Sequence, residues 1–304
     1  MGPFRAIGEI FRKIGVSIGR AREKRVPRES GEKRAGNDGE IAFLDFVENS
    51  LDGCAFRSNV IASDGKGCAE IDFLLLFGGN LFSVEIKNWY GTVIERGGDF
   101  FAVKADRYTG ELHHRSLSSP FRQVYRQSRI FAHNFPGVKL NPIVLFFSVD
   151  SLDLENPDAY PGIRYFTDAG SLERYIRSFP SPSSEQAEKA ENALRSSESL
   201  DVISATDFAG SLYYCKIDPA SLEFDTDKGK ITADEIVRLD VTHRFARDDI
   251  EILLPGGETR RVREENRKIR VLSYCPGKGY AARGEYSLCR ISRVTLGRVN
   301  RVKK

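Results

Sequence analysis

The sequence has few cysteines and no long apolar segment. Five cysteines occur in 304 residues, an odd number, and no pair has the spacing of metal ligands, so neither a disulfide framework nor a zinc site is indicated. A reducing, cytoplasmic setting is therefore expected. No segment approaches the roughly 18 apolar residues of a membrane-spanning helix, so we expect no transmembrane segment. Charges also interrupt the N-terminal region where a signal peptide would be apolar, at Arg5, Glu9, Arg12 and Lys13.

Charge is nearly balanced over the chain but unevenly distributed. The formal net charge is +3, and 40% of the residues are hydrophobic, so the chain can bury a core of about two domains. From Thr242 to Lys304 there are sixteen basic and seven acidic residues, a local net charge of +9. This excess favours a polyanionic partner, although a solvated arginine-rich surface has the same composition.

Composition and periodicity divide the chain into four regions. Residues 1–37 are basic, and apolar residues between Phe4 and Ile18 recur on one helical face, which would lie on a membrane surface or on the protein itself. Residues 38–179 mix helix and strand patterns and predict an α/β fold with a mixed central sheet flanked by helices. Residues 180–199 form a predicted linker. Residues 200–304 form a basic, β-rich module whose short strands predict a small sandwich or barrel.

A predicted hairpin lies in the middle of the α/β region. Two apolar strands, Ala69–Phe77 and Leu81–Lys87, flank a glycine-rich turn. A two-residue turn at Gly79-Asn80 fits type II′, which has glycine at its first central position. This turn would place Gly78 opposite Leu81 and so sets the register of the two strands.

In this register the hairpin carries a polar cluster on one face. Asp72 lies opposite Lys87, Glu85 is diagonal to Asp72 on the same face, and Glu70 is expected to face away from Glu85. The carboxylates of Asp72 and Glu85 are the hard oxygen ligands that Mg²⁺ or Mn²⁺ prefers. A lysine held between carboxylates stays protonated, so a positioning role for Lys87 is favoured over a general base. The competing interpretation is a structural cross-strand ion pair.

Short motifs within this hairpin and on both sides of it form a wider pattern. They are Gly39-Glu40 at the start of the first helix, Ile71-Asp72 in a strand, Glu85-Ile86-Lys87-Asn88-Trp89 followed by Gly91, and Ser119-Pro120 followed by Gln123. Together they resemble the nuclease-related domain (NERD) family over about Asn37 to Ser148. That family is assigned to the PD-(D/E)XK nuclease superfamily. The resemblance implies a restriction-endonuclease-like mixed sheet flanked by helices, here followed by the small all-β domain.

The resemblance also implies roles for three further residues. The Ile86 carbonyl corresponds to the usual third metal ligand. Glu40 corresponds to the first acidic position, which holds metal-bound water or a second ion, although a glutamate at a helix start also stabilises the helix dipole. Gln123 corresponds to the helix glutamine that contacts the cluster or the substrate backbone, and Gln127, one turn later, is an alternative for that role.

The expected function is a metal-dependent nuclease that hydrolyses DNA or another nucleic acid with Mg²⁺ or Mn²⁺. The alternative is a non-catalytic nucleic-acid-binding or assembly module that keeps the nuclease fold. The complete set of Asp72, Glu85 and Lys87 favours the enzyme. The C-terminal β module is expected to hold the substrate or a protein partner, because it carries the excess positive charge.

Overall fold

The structure is a computed structural model that describes most of the chain. It describes residues 31–64, 67–105, 109–205, 212–244, 247–265, 267–275, 279–297 and 299–300. The amphipathic face predicted between Phe4 and Ile18 lies outside these residues. Within them, no helix combines the length and the apolar character needed to cross a membrane.

The described residues form an α/β unit followed by an all-β unit, as predicted. The helices are α1 (Gly31–Ser50), α2 (Pro120–Asn134), α3 (Ala169–Ser178) and α4 (Ser184–Ser196). The strands of the first sheet are β1 (Ala55–Ser63), β2 (Cys68–Phe77), β3 (Asn80–Arg96), β4 (Asp99–Ala105), β5 (Leu112–Leu117), β6 (Leu140–Leu154), β7 (Arg164–Phe166) and, from the end of the chain, β18 (Val299–Asn300). The remaining strands are β8 (Asp201–Ala205), β9 (Leu212–Ile217), β10 (Phe224–Thr226), β11 (Gly229–Ile231), β12 (Arg238–Arg244), β13 (Arg247–Leu253), β14 (Thr259–Glu264), β15 (Lys268–Cys275), β16 (Gly279–Ser287) and β17 (Ile291–Thr295).

Strand β3 is the centre of the first sheet. One of its edges pairs antiparallel with β2 and then with β4, and the other pairs parallel with β6. The main path of the sheet has the strand order β18-β1-β2-β3-β4-β5, and β7 pairs with β6 beside this path. This combination confirms the predicted mixed sheet. The predicted strand Leu81–Lys87 ends too early, because β3 continues to Arg96 with an irregular register between Asn88 and Thr92.

Helices cover both faces of this sheet. On one face, α1 and α3 pack on apolar side chains of β2, β3 and β6, with Phe43, Val47, Leu172 and Ile176 fully or almost fully buried. On the other face, α2 and α4 pack on a second set of apolar side chains. Burial of both faces explains why the middle of β6 is a continuous apolar run.

Helix α2 begins where its capping residues predict. The Ser119 hydroxyl accepts a hydrogen bond from the Arg122 backbone N–H, and Pro120 occupies the first helical turn, where a missing N–H costs nothing. The inner side of the helix is buried and consists of Phe121, Val124, Gln127, Ile130 and Phe131. This amphipathic face holds the helix against the sheet.

The β2–β3 turn differs from the prediction by one position. The loop residues are Gly78 and Gly79, with φ of 55° and 80°, and Phe77 pairs with Asn80. Positive φ at both central residues is typical of a type I′ turn, which two consecutive glycines form without strain. The predicted Gly79-Asn80 turn is therefore wrong.

The displacement of the turn by one position shifts every cross-strand partner by two residues. Leu74 faces Ser83 instead of Glu85, and Asp72 no longer lies opposite Lys87. Because side chains alternate with a period of two, a two-residue shift leaves each side chain on its predicted face. The predicted cluster therefore survives with different neighbours.

Helix α1 begins further toward the N-terminus than predicted. Gly39 and Glu40 lie in the middle of Gly31–Ser50 rather than at its start, so Glu40 is not a helix N-terminal charge. Gly39 is in close contact with β3, since a Cβ at this position would lie 2.6 Å from the Asn88 Cβ. The glycine lets the helix approach the strand and brings Glu40 to the sheet.

The region predicted as a linker, residues 180–199, contains helix α4. Its Ala190, Ala193 and Leu194 are buried against the first sheet. The polar, alanine-rich composition is typical of an exposed helix, but the small alanine side chains allow close packing instead. This segment therefore adds to the α/β unit.

The all-β unit has its own antiparallel sheet and core. The strand order is β14-β13-β12-β17-β8-β9-β15-β16, beside a separate β10–β11 hairpin. A single apolar cluster contains residues from β8, β9, β12, β13, β15 and β17. Because strands that are far apart in the sheet order share one core, the sheet curves around it.

The two units are joined by backbone pairing and by apolar contacts. Strand β18, at the end of the chain, pairs with β1 and forms an edge of the first sheet. The Leu200 N–H donates to the Asn59 carbonyl at 3.0 Å, and Val237 and Leu253 belong to the same apolar cluster as α1. The C-terminal module therefore supplies an edge strand and apolar contacts to the α/β unit.

The close contact of α1 with β3 predicts that Gly39→Ala destabilises the protein. We expect the free energy of unfolding to fall by about 1–3 kcal/mol, the usual cost of overpacking, although alanine favours an ordinary helix over glycine by about 1 kcal/mol. Urea denaturation measures the change. In a double-mutant cycle, Asn88→Gly should recover part of the loss because it removes the atom that the new Cβ meets. Strictly additive effects would contradict this packing.

Candidate active site

The candidate site lies where β2 and β3 separate. Their backbone pairing ends at Phe73 and Val84. Beyond this pair, the Asp72 Oδ2 atom accepts a hydrogen bond from the Ile86 N–H at 2.7 Å. A side-chain carboxylate thus replaces the backbone partner, and β2 departs from β3 with Asp72 at the opening.

Glu85 is the most connected side chain of the site and is 2% exposed. Its Oε1 atom accepts from Lys87 Nζ at 2.5 Å and from Gln123 Nε2 at 2.6 Å. Its Oε2 atom accepts from Gln127 Nε2 at 2.5 Å. Lys87 also donates to Gln123 Oε1 at 3.1 Å. The structure therefore brings Glu85, Lys87 and Gln123 together, and both glutamines of α2 contact the carboxylate.

Acidic side chains from three elements meet at this site. The pKa of Glu40 is raised from 4.5 to about 8, chiefly by burial and then by the charges of Glu70 and Glu85. Burial, followed by the charges of Glu85 and Glu40, raises the pKa of Asp72 well above its usual value. The expectation that Glu70 faces away from Glu85 is wrong, because residues two apart share a strand face and Glu70 acts on both shifted acids.

Two basic side chains oppose this negative charge. Burial alone would lower the pKa of Lys87, but the charges of Glu85 and Asp72 and the hydrogen bond with Glu85 raise it above its usual value. Lys87 therefore stays protonated at neutral pH. Arg293 of β17, which is 5% exposed and donates to Asp240 at 2.6 Å, lowers the pKa of Glu40. The C-terminal module thus contributes a charge to the site.

The donor set fits a divalent cation that keeps water or substrate ligands. In the described part of the chain, no group of three or more His, Cys, Asp or Glu side chains could enclose an ion. The Oδ1 atom of Asp72 has no hydrogen-bond partner among the described residues and is available to a cation. The Oε2 atom of Glu85 has one lone pair beyond the one that accepts from Gln127. Two carboxylates with open positions suit Mg²⁺, which retains several waters.

Sequence reasoning missed or misplaced three residues near the site. Gln127 was an alternative to Gln123, whereas both contact Glu85. Glu70 could have been found by counting alternate positions from Asp72 along the strand. Arg293 carries no sequence signal, because it reaches the site only through the packing of two units that are distant in the chain.

Comparison with known proteins supports the assignment of the first unit. The family model for the nuclease-related domain matches residues 35–147. This match begins in α1, includes Glu40, Asp72, Glu85, Lys87 and Gln123, and ends in β6. No curated protein and no solved structure matches the chain. The resemblance seen in the short motifs is thereby confirmed for this segment.

The raised pKa of Glu40 predicts a pH dependence of stability in the metal-free protein. The folded form holds this proton more tightly than the unfolded chain, so its contribution is complete below pH 4.5 and is lost as pH rises through about 8. We expect the unfolding free energy in EDTA to decline more across this range for the wild type than for Glu40→Gln. Glu48→Gln, at an exposed position of α1, is the control. Parallel curves for the wild type and Glu40→Gln would contradict the raised pKa of Glu40.

Proposed function

Because the chain contains a nuclease-related domain, we propose that it hydrolyses phosphodiester bonds in DNA with a divalent metal ion, Mg²⁺ or Mn²⁺. The observation that carries this proposal is the excess of acid at one point. Glu40, Asp72 and Glu85 act on a single lysine, Lys87, and burial together with the neighbouring acidic charges raises the pKa values of Glu40 and Asp72. A bound cation would relieve this repulsion and leave the carboxylates ionised.

The proposed metal ligands are Asp72, Glu85 and the Ile86 carbonyl. The N–H and C=O of one residue point to the same side of an extended strand, and the Ile86 N–H is directed at Asp72, so we expect the Ile86 carbonyl to face the same opening. A bound divalent ion would supply a water of lowered pKa and would stabilise negative charge on the phosphate. Glu40 would orient a water molecule of the site.

Lys87 positions the reacting groups through its fixed charge. Its raised pKa makes it a poor proton acceptor at neutral pH, so it would bind a phosphate oxygen or orient the attacking water. Gln123 holds both Glu85 and Lys87, and Gln127 holds Glu85 and the Glu70 carbonyl. The glutamines therefore fix the geometry of the charged groups.

The alternative function, a non-catalytic nucleic-acid-binding or assembly module, is favoured by one observation. Every polar atom of the Glu85 side chain already has a protein partner, as in a structural network. The two functions differ in whether a cation binds and whether the protein turns over DNA, and the next two experiments separate them.

Asp72→Asn tests metal binding. The substitution keeps the size of the side chain and removes the charge that a cation needs, so we expect Mn²⁺ binding by isothermal titration calorimetry to be lost. Asp52→Asn, at an exposed turn of the same unit, should bind like the wild type. Thermal unfolding checks that Asp72→Asn is folded. Undiminished Mn²⁺ binding by a folded Asp72→Asn would remove Asp72 from the site.

Lys87→Met tests the chemistry. The variant keeps most of the apolar stem but loses the charge, so we expect nearly intact Mn²⁺ binding and turnover reduced by about 10²-fold or more, as for other positioned catalytic groups. Plasmid and single-stranded DNA are the substrates, and Lys139→Met, at an exposed position, is the control. Wild-type turnover in Lys87→Met would show that the lysine is structural. Binding of DNA with no metal-dependent cleavage by the wild type would favour the non-catalytic module.

The C-terminal module remains a proposed substrate-holding or protein-binding element. At least seven of its sixteen basic residues after Thr242 form ion pairs within the module: Arg260, Arg261, Arg263, Arg267, Lys268, Arg270 and Arg293. Much of the local positive charge is thus already compensated. Removing the module would also remove β18 and the apolar contacts with α1, so its role is better tested by charge substitutions than by truncation.

A further inference from the structure

We propose that the outer face of α2 binds an unpaired DNA strand, an inference that rests on the proposed function. The face, which we name the α2 ridge, consists of Arg122, Tyr125, Arg126 and Arg129. These residues stand beside the glutamines that hold Glu85, on the same helix. The ridge would hold the strand and present it to the candidate active site.

The four side chains form one continuous surface. At about 100° per residue, they fall within a sector of roughly 100° on the side of the helix opposite its buried residues. All four are exposed. Tyr125, at 66%, is the most exposed large apolar side chain in the described part of the chain. A largely exposed aromatic ring therefore lies among three positive charges.

The positive charge of the ridge is not compensated by the protein. Helix α2 contains three arginines and no acidic residue, and none of the three guanidinium groups makes an ion pair or a hydrogen bond with the described residues. Basic residues on α3 and α4 differ from those of the ridge, because three of the four have an acidic partner one turn earlier. These pairs are Arg177 with Glu173, Lys189 with Glu185, and Arg195 with Glu191.

The ridge is adjacent to the site. Gln123 and Gln127, whose amides contact Glu85, lie on the inner side of the same two helical turns. An α-helix with its side chains is about 10 Å across, so a strand on the ridge would run about one helix width from the cluster. Arg122 reaches toward the β3–β4 turn and Arg126 toward Gly67, between β1 and β2. The arginines thus extend across the width of the helix.

The chemistry of the ridge matches a polynucleotide better than a protein. Arginines recognise phosphate groups through charge-assisted hydrogen bonds, and each neutralised phosphate releases counterions. An exposed tyrosine offers a flat surface on which a base stacks, but only a base that is not already paired and stacked in a duplex. The combination selects a single strand.

Binding of a labelled single-stranded DNA oligonucleotide, followed by fluorescence anisotropy in EDTA, tests the ridge. The variant Arg126→Gln/Arg129→Gln should bind at least tenfold more weakly, and the slope of log K against log salt should become shallower by about one unit. Its matched control is Lys189→Gln/Arg195→Gln, which removes the same charge from the exposed face of α4. Arg122 is left intact because it contacts the β3–β4 turn.

Two variants of Tyr125 test the stacking. Tyr125→Ala should weaken binding of the single strand by about tenfold, whereas Tyr125→Phe, which keeps the ring, should bind like the wild type. Duplex DNA should show little dependence on Tyr125. Thermal unfolding of each variant checks its fold. Equal affinities for the two double variants, or unchanged binding of the single strand by Tyr125→Ala, would overturn the proposal.

This experiment is independent of the catalytic proposal. Binding is measured without a divalent ion, so the cleavage activity of the protein does not enter. A protein that binds through α2 but never hydrolyses DNA would contradict only the proposed function. A protein that hydrolyses DNA while the α2 variants bind normally would contradict only the ridge.

Discussion

The arrangement depends on one buried carboxylate. Glu85 accepts hydrogen bonds from Lys87 on its own strand and from Gln123 and Gln127 on α2. These bonds hold the helix and the central strand in one relative position. Removing a donor would leave part of a buried charge without a partner, which costs several kcal/mol in typical proteins. The same contacts that stabilise the carboxylate therefore also place α2, with its exposed arginines, beside the candidate site.

A second constraint is the early end of the β2–β3 pairing. A longer ladder would close the space between the strands and would give the Ile86 N–H a backbone partner. Here that N–H donates to Asp72, and α1 approaches the sheet through the missing side chain of Gly39. Acids from α1, β2 and β3 can then converge. Closely spaced acidic groups in a low-dielectric interior are unfavourable, and this cost is consistent with the function that we propose for them.

Much of the site could be predicted because strand periodicity is robust. The type of turn was misassigned, since Gly78-Gly79 and Gly79-Asn80 both satisfy turn chemistry, yet an error of two residues leaves Asp72 and Glu85 on one face. The mixed sheet and the start of α2 followed from apolar runs and from Ser119-Pro120. These signals are local, and local patterns determine where elements begin and which face is buried.

The parts that sequence reasoning missed depend on tertiary packing. The charged residues before Asn37 are typical of a linker, whereas α1 extends back to Gly31. The alanines of α4 are buried although their neighbours are polar. Arg293 reaches the site from a module that is distant in sequence, and β18 returns to the first sheet from the end of the chain. No periodicity or motif in the sequence predicts any of these contacts.

The most direct test of the account is the position of a bound metal ion. A crystal of the full chain grown with Mn²⁺ and a short DNA oligonucleotide, measured at a wavelength where manganese scatters anomalously, would locate the ion without assumptions about its ligands. We predict an anomalous peak between the Asp72 and Glu85 carboxylates, with the Ile86 carbonyl toward it and Lys87 Nζ facing a phosphate group. A fully occupied manganese site elsewhere, with the Glu85 network intact and no ion beside Asp72, would contradict it.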